Sequence, residues 1–173
     1  VGTSGVVGVL KRGNGSTAIG LRADMDALPI QEANDFSYKS VNDVIFHGCG
    51  HDGHTAMLLG AAQQLAQNED LNGCVYFIFQ PSEEDGLGAL AMIADGLFER
   101  FPMQAVYGLH NMPGLPVGHF AVREGPIMTS EDVFEITIKG RGGHASMPER
   151  TVDPIIVGAE IALSLQTIVA RSI

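Results

Sequence analysis

Short apolar runs with strand character alternate along this chain with segments of helical period. Val6–Leu10 and Thr17–Leu21 are β-rich, and the Arg12-Gly13-Asn14-Gly15 stretch between them carries the Asn-Gly pair of a tight hairpin. Gln31–Val44 is polar and irregular and reads as a loop crossing the surface. After His54 the period changes: Met57, Leu58, Ala61, Ala62 and Leu65 predict an amphipathic helix over Thr55–Gln67. Val75–Phe79 is almost wholly apolar, as a central strand covered on both faces should be. Leu87–Asp95 reads as a helix stopped near Gly96, Ala105–Leu109 as a strand, and Phe120–Val122 as one more strand after the Pro/Gly-rich Pro113–Gly118. Strands alternating with helices predict an α/β fold with a mainly parallel central sheet.

A boundary is expected near Pro126–Ser130, which makes 1–128 part of one domain and 129–173 the start of another. Phe134, Ile136 and Ile138 alternate with Glu135, Thr137 and Lys139, the pattern of a half-buried strand. A glycine-rich turn, Gly140–Ser146, follows. Asp153-Pro154 then opens a helix in the favoured cap-then-proline order, continuing through Ile156, Ala159, Ile161, Leu165 and Ile168. One strand and one helix cannot bury their apolar faces, so this second unit is expected to be incomplete.

Three apolar runs end in potential ligands: Asp24 and Asp26, Glu83 and Glu84, and His110. In open α/β sheets ligands gather at the carboxyl ends of the strands. Convergence is therefore expected on His47-Gly48-Cys49-Gly50-His51-Asp52-Gly53-His54, where Cys49 and His51 can turn toward one point from a loop and the glycines permit tight turns. A thiolate with an imidazole suits Zn²⁺, and a mixed S/N/O site also accepts Mn²⁺, Co²⁺ or Ni²⁺. The surplus of carboxylates argues against a closed structural zinc site and for a hydrolytic one. Adjacent side chains diverge, so one of Glu83 and Glu84 can bind metal while the other takes a proton from water. Helix capping explains Asp85 more readily than both glutamates. Asp26 can orient a ligating imidazole, although a surface-turn carboxylate explains it nearly as well. His144, alone in its Gly-Gly-His-Ala-Ser turn, reads by itself as a turn residue.

Composition narrows the partners. The 173 residues are 45% hydrophobic and 17% charged, which excludes wholesale disorder. Twenty acidic against 10 basic side chains give a net charge of −10, which argues against nucleic acid or an anionic membrane. No apolar run approaches the roughly 18–20 residues of a membrane span, and Val1–Gly5 lacks the charged n-region of a signal peptide. Only two cysteines argue against a disulfide framework. Cys74 reads as a buried core thiol, and a reducing, cytoplasmic setting fits both.

Five ordered strings carry a resemblance: RADMDALP at 22–29, HGCGHDGHTAML at 47–58, FQPSEED at 79–85, GLHNMPGLPVG at 108–118 and KGRGGHASMPE at 139–149. Together they resemble the amidohydrolase subgroup of the metallo-aminoacylase and carboxypeptidase family, which contains hippurate hydrolases and N-acyl-amino-acid amidohydrolases. The resemblance implies a zinc-exopeptidase-like catalytic domain followed by the start of an α+β lid and dimerisation domain. It implies one or two divalent ions per subunit held by Cys49, His51, Glu84 and His110, with Glu83 as general base and Asp26 supporting a ligand. It also implies that His144, in the lid, polarises the scissile carbonyl, commonly across a homodimer interface. The wider family carries His-x-Asp where this chain has Asp24-Met25-Asp26; that sets Asp24 aside as a ligand and agrees with Cys49 serving instead. The implied activity is hydrolysis of the amide bond of N-acyl amino acids by metal-activated water; the alternative is a non-catalytic metal- or amino-acid-binding module that retains the site. Relatives of this kind have a helical segment before the first strand and a later return segment with one more metal-binding histidine, so the chain is expected to be the middle of a longer enzyme.

Overall fold

The computed structural model describes residues 1–128 and 130–170, and the expected domain limits at 129 and 173 lie outside the described residues. The chain separates into two compact units, Val1–His119 and a second that begins at Phe120.

The first unit is built on a four-stranded sheet of β1 (Val6–Arg12), β2 (Ala18–Asp24), β3 (Gly73–Gln80) and β4 (Ala105–Gly108), in the order β1-β3-β2-β4. β2 runs parallel to β3, from Ala18 opposite Cys74 to Asp24 opposite Gln80, and parallel to β4 on its other side. β1 is antiparallel to β3, with Val6 opposite Phe79 and Arg12 opposite Gly73. The mainly parallel sheet is thus present, but the expected hairpin between the first two strands is not. β3 lies between β1 and β2. Its apolar run gains most by being paired and covered on both sides, and the Gly13–Thr17 connection is long enough to step across it. The Asn-Gly turn is held by Asn72 instead, whose Oδ1 accepts the N–H groups of Asn14 at 3.0 Å and Gly15 at 2.7 Å.

Helix α1 (His51–Gln67) carries the chain from β2 to β3, and α2 (Gly88–Ala94) with α3 (Leu97–Arg100) carries it from β3 to β4. Alternate β3 side chains enter two separate cores. Val75 and Phe77 pack with Ala23 and with Leu58 of α1, while Ile78 packs with Met92 of α2 and Leu97 of α3. Burial of each such large side chain contributes about 1.5–3 kcal/mol. α1 begins one turn earlier than its apolar period suggests. Gly50, left-handed at φ 88°, turns the chain into the helix, so His51 and His54 lie on its first turn and not in a loop. The 31–44 segment is irregular, as expected.

In the second unit, α4 (Pro154–Leu165) starts where the cap signal places it, with Asp153 Oδ1 accepting the Ile155 N–H at 2.9 Å. A five-residue π-helical turn, Gln166–Ala170, follows it. The two expected strands at Phe120–Val122 and 134–138 are absent as ladders. Both segments carry no regular structure, and among the described residues neither belongs to a sheet. A strand needs a partner, and side-chain alternation does not provide one. An isolated antiparallel bridge of Arg141 with Val152 closes the glycine-rich loop at its base.

Candidate metal centre

Because β2, β3 and β4 are parallel, their carboxyl ends share one edge of the sheet. That edge receives Asp24 and Asp26 after β2, Glu83 and Glu84 after β3, and His110 after β4, while the N-terminus of α1 brings Cys49, His51 and His54. Asp24, His51 and His54 are buried, at 1%, 0% and 2% exposure. Buried polar groups on this scale persist only when paired.

Asp24 is the most heavily partnered. Its carboxylate accepts from Arg22 Nη1 at 2.8 Å and lies 2.6 Å from His54 Nδ1, and its carbonyl accepts from Thr55 Oγ1 at 3.1 Å. Arg22 also donates from Nε to Gln80 Oε1 at 2.9 Å, tying β2 to the end of β3. Burial pushes the Asp24 carboxyl up, but the His54 hydrogen bond and the Arg22 guanidinium lead the opposing effects that hold the group below the ordinary carboxylate range. Asp26 behaves likewise: burial raises it, and the backbone N–H groups of Glu84 and Glu83 more than compensate. The Glu84 bond is 3.1 Å, so Asp26 also braces the turn that carries both glutamates. Ser82 in that turn has φ 48°, a left-handed conformation costly for a side chain other than glycine's.

His51 Nδ1 lies 2.9 Å from the Asp26 carbonyl and 3.2 Å from its Oδ1. Both are acceptors, so Nδ1 donates to them, and in the neutral tautomer Nε2 is then the lone-pair nitrogen. Among the described residues Nε2 of His51 is buried with no hydrogen-bond partner. Within 4 Å of it stand three carboxylate oxygens: Asp24 Oδ2 at 3.7 Å, Glu84 Oε1 at 3.7 Å and Glu83 Oε2 at 3.8 Å. A lone pair facing three carboxylate oxygens is unfavourable by itself and is resolved by a positive charge among them, a proton on Nε2 or a metal ion. Cys49 Sγ and His110 Nε2 are 3.6 Å apart at the same edge. Burial first, and then the Glu84 carboxylate, push the Cys49 thiol up, which again marks an excess of negative charge that a divalent ion would relieve. Donor atoms of Cys49, His51 and Glu84 all lie within 4.8 Å of one another, as do those of Asp24, His51, His54 and His110. Sulfur, imidazole and carboxylate together fit a late divalent metal.

The edge therefore brings together Cys49, His51, Glu84, His110, Glu83 and Asp26. His47 and Asp52 are exposed. His144 belongs to the second unit, where it stands exposed in the glycine-rich turn beside an open hollow of about 500 Å³. Its Nδ1 lies 2.7 Å from Ser146 Oγ and 3.2 Å from the Ser146 N–H, which donates to it, an arrangement that fits the tautomer with its proton on Nε2. The sequence offers Asp24 and His54 only as neighbours of the expected ligands; the His54–Asp24 pair and the part played by Asn111 are not legible in it. The signal for the place of His54 beside His51 is their three-residue spacing, which puts both on one face only once α1 includes His51.

The class is thus an α/β protein with a candidate divalent-metal centre at the carboxyl edge of its sheet. Residues 20–167 match Peptidase family M20/M25/M40, and the chain belongs to that family. The chain is 50% identical over its whole length to the hippurate hydrolase of Campylobacter jejuni, spanning 45% of that protein. It is 45% identical over 98% of its length to the N-acetylcysteine deacetylase of Bacillus subtilis, spanning 44% of it. The chain thus covers less than half the length of these curated relatives. Among solved structures, a Bacillus subtilis protein described as a dinuclear metal-binding peptidase of the M20 family matches 70% of this chain and 34% of its own, at 44% identity and a TM-score of 0.67. A putative aminohydrolase from methicillin-resistant Staphylococcus aureus matches 98% of this chain and 45% of its own, at 32% identity and a TM-score of 0.68.

Proposed function

We propose that the protein hydrolyses the amide bond of N-acyl amino acids, of the hippurate or N-acetyl-amino-acid type, with one or two divalent ions held by Cys49, His51, Glu84 and His110. The observation that carries this reading is the buried, unpartnered Nε2 of His51 facing three carboxylates, with a thiol and a second imidazole at the same edge. Relatives named for hippurate hydrolysis and N-acetylcysteine deacetylation support the substrate class. A bound ion would supply Lewis acidity for the acyl carbonyl and a lowered pKa for the attacking water.

The residues divide the remaining work. Asp26 fixes the tautomer and orientation of His51. Glu83, whose Oε2 lies 3.8 Å from His51 Nε2, takes the proton from the attacking water and returns it to the leaving amine. His144, with its proton on Nε2, donates to the carbonyl oxygen as negative charge develops there. The protein acts as a homodimer through the second unit, a reading supported by exposed apolar side chains such as Phe134, Ile155 and Leu163. A cytoplasmic setting is supported by two free cysteines, one of them a candidate ligand.

Glu83→Ala in the protein at its full natural length should abolish hydrolysis of benzoylglycine and of acetylated amino acids while leaving metal content unchanged. Rates near wild type in that variant would sink the mechanism. Chelator-insensitive turnover would sink the metal's role, and metal binding with no turnover of any N-acyl amino acid would favour a binding module.

A further inference from the structure

His54 is drawn into the centre by position but not by its free valences. Its Nδ1 lies 2.6 Å from Asp24 Oδ1, and its Nε2 accepts the backbone N–H of Asn111 at 3.0 Å and also meets the Asn111 side-chain oxygen. Both ring nitrogens are therefore taken. The four-residue grouping of Asp24, His51, His54 and His110 has ligand-like distances, yet His54 has no lone pair to offer an ion.

These bonds reach the segment that follows β4. His110 and Asn111 lie in exposed, irregular chain, and His110 Nδ1 is 2.7 Å from the Asn111 carbonyl, a contact within the same segment. The buried His54 ring, whose centroid is 4.5 Å from that of His110, is what ties this segment to the first turn of α1. Asn111 is held from a second side as well. A Cβ added at Gly50, the left-handed residue at the start of α1, would collide with the Asn111 side-chain amide. The helix start and the β4 exit are thus fitted to each other at Asn111.

We infer that His54 is a positioning residue: it sets the place of His110 through the Asn111 amide, while Asp24 fixes the tautomer of His54. The inference rests on the proposed role of His110 as a ligand. An exposed histidine on irregular chain would otherwise sample many positions, and the ordering entropy would weaken metal binding. Partners that orient ligands in this way typically account for about 10–100-fold in metal affinity.

Two substitutions separate positioning from simple satisfaction of Asp24. His54→Asn keeps a donor at the Nδ1 position for Asp24 and loses the acceptor for Asn111. His54→Gln places a side-chain oxygen near the Nε2 position and keeps that acceptor. Co²⁺ affinity and the absorption spectrum of the Co²⁺-loaded full-length protein should stay close to wild type in His54→Gln. In His54→Asn, affinity should fall by roughly 10–100-fold. In a His110→Ala background the difference between the two variants should vanish. Thermal melts of the metal-free proteins monitor folding, and the Asn and Gln variants can be compared even if both are less stable. Equal affinities for the two variants, the opposite order, or a difference that persists without His110 would overturn the role of His54. Absence of any Co²⁺ spectrum sensitive to Cys49→Ser in the wild type would overturn the metal reading, and this inference with it.

Discussion

The carboxylate of Asp24 is buried to 1% exposure and answers to Arg22 on one oxygen and His54 on the other. Removing one member of such a set leaves the others uncompensated, which costs about 3–5 kcal/mol. The charge state has a defined pH signature. The folded carboxyl titrates below the ordinary value of 3.8, so its stabilisation is complete above that value and is lost as the pH falls through the lowered one. Urea midpoints of the metal-stripped protein should decline on acidification below about pH 5. Asp24→Asn should lower the neutral-pH midpoint and flatten that decline. An unaltered acid slope in the variant would assign the acid sensitivity to other carboxylates.

α1 and α2 make opposite demands on their glycines. Gly60 is exposed in the middle of α1, and a Cβ added there meets nothing within 4 Å. Gly60→Ala should therefore stabilise the protein by about 0.4–1 kcal/mol, mainly by restricting the unfolded chain. Gly88 opens α2 against the backbone carbonyl of Pro81, where a Cβ has no room. Its own N–H donates to the Ser82 carbonyl at 2.9 Å, so the helix start and the Pro81–Glu84 turn are one unit. Gly88→Ala should cost about 1–3 kcal/mol and, by shifting Glu83 and Glu84, weaken metal binding too. Paired thermal melts and metal titrations test both. Loss of stability in the Gly88 variant with full metal affinity would uncouple the helix from the turn.

For the molecule as a whole, the centre links binding to folding. Its proposed ligands lie at the start of α1 and beyond the ends of β3 and β4, elements that converge only when the sheet is formed. Metal bound to the folded state alone stabilises it by about 2.7 kcal/mol at a free concentration one hundred times Kd. Chelation should therefore lower the melting temperature, added Zn²⁺ or Co²⁺ should restore it, and Cys49→Ser should blunt the response. A melting temperature indifferent to metal in the wild type would argue that the donors are not brought together in solution. The surplus of ten acidic side chains works in the same direction, since it makes the potential felt by an approaching cation more negative.

Much of this was written locally. The all-apolar Val75–Phe79 run determined a doubly covered strand, the period after His54 determined α1, and Asp153-Pro154 determined the start of α4, because each rests on side-chain patterns within one or two turns. Strand ends furnished with Asp24, Asp26, Glu83, Glu84 and His110 made convergence at a parallel edge readable as well. The order of strands was not readable. Whether β1 pairs with β2 or with β3 depends on which neighbour best covers β3, a competition between distant segments that an Asn-Gly turn cannot report. Nor could alternation at 134–138 supply a partner strand. The first turn of α1 escaped because its glycines and histidines lack an apolar period, and only the fit of Gly50 against Asn111 and of His54 between Asp24 and Asn111 reveals its place. Local pattern decided what each segment could be; long-range packing decided which polar atoms were left facing one another.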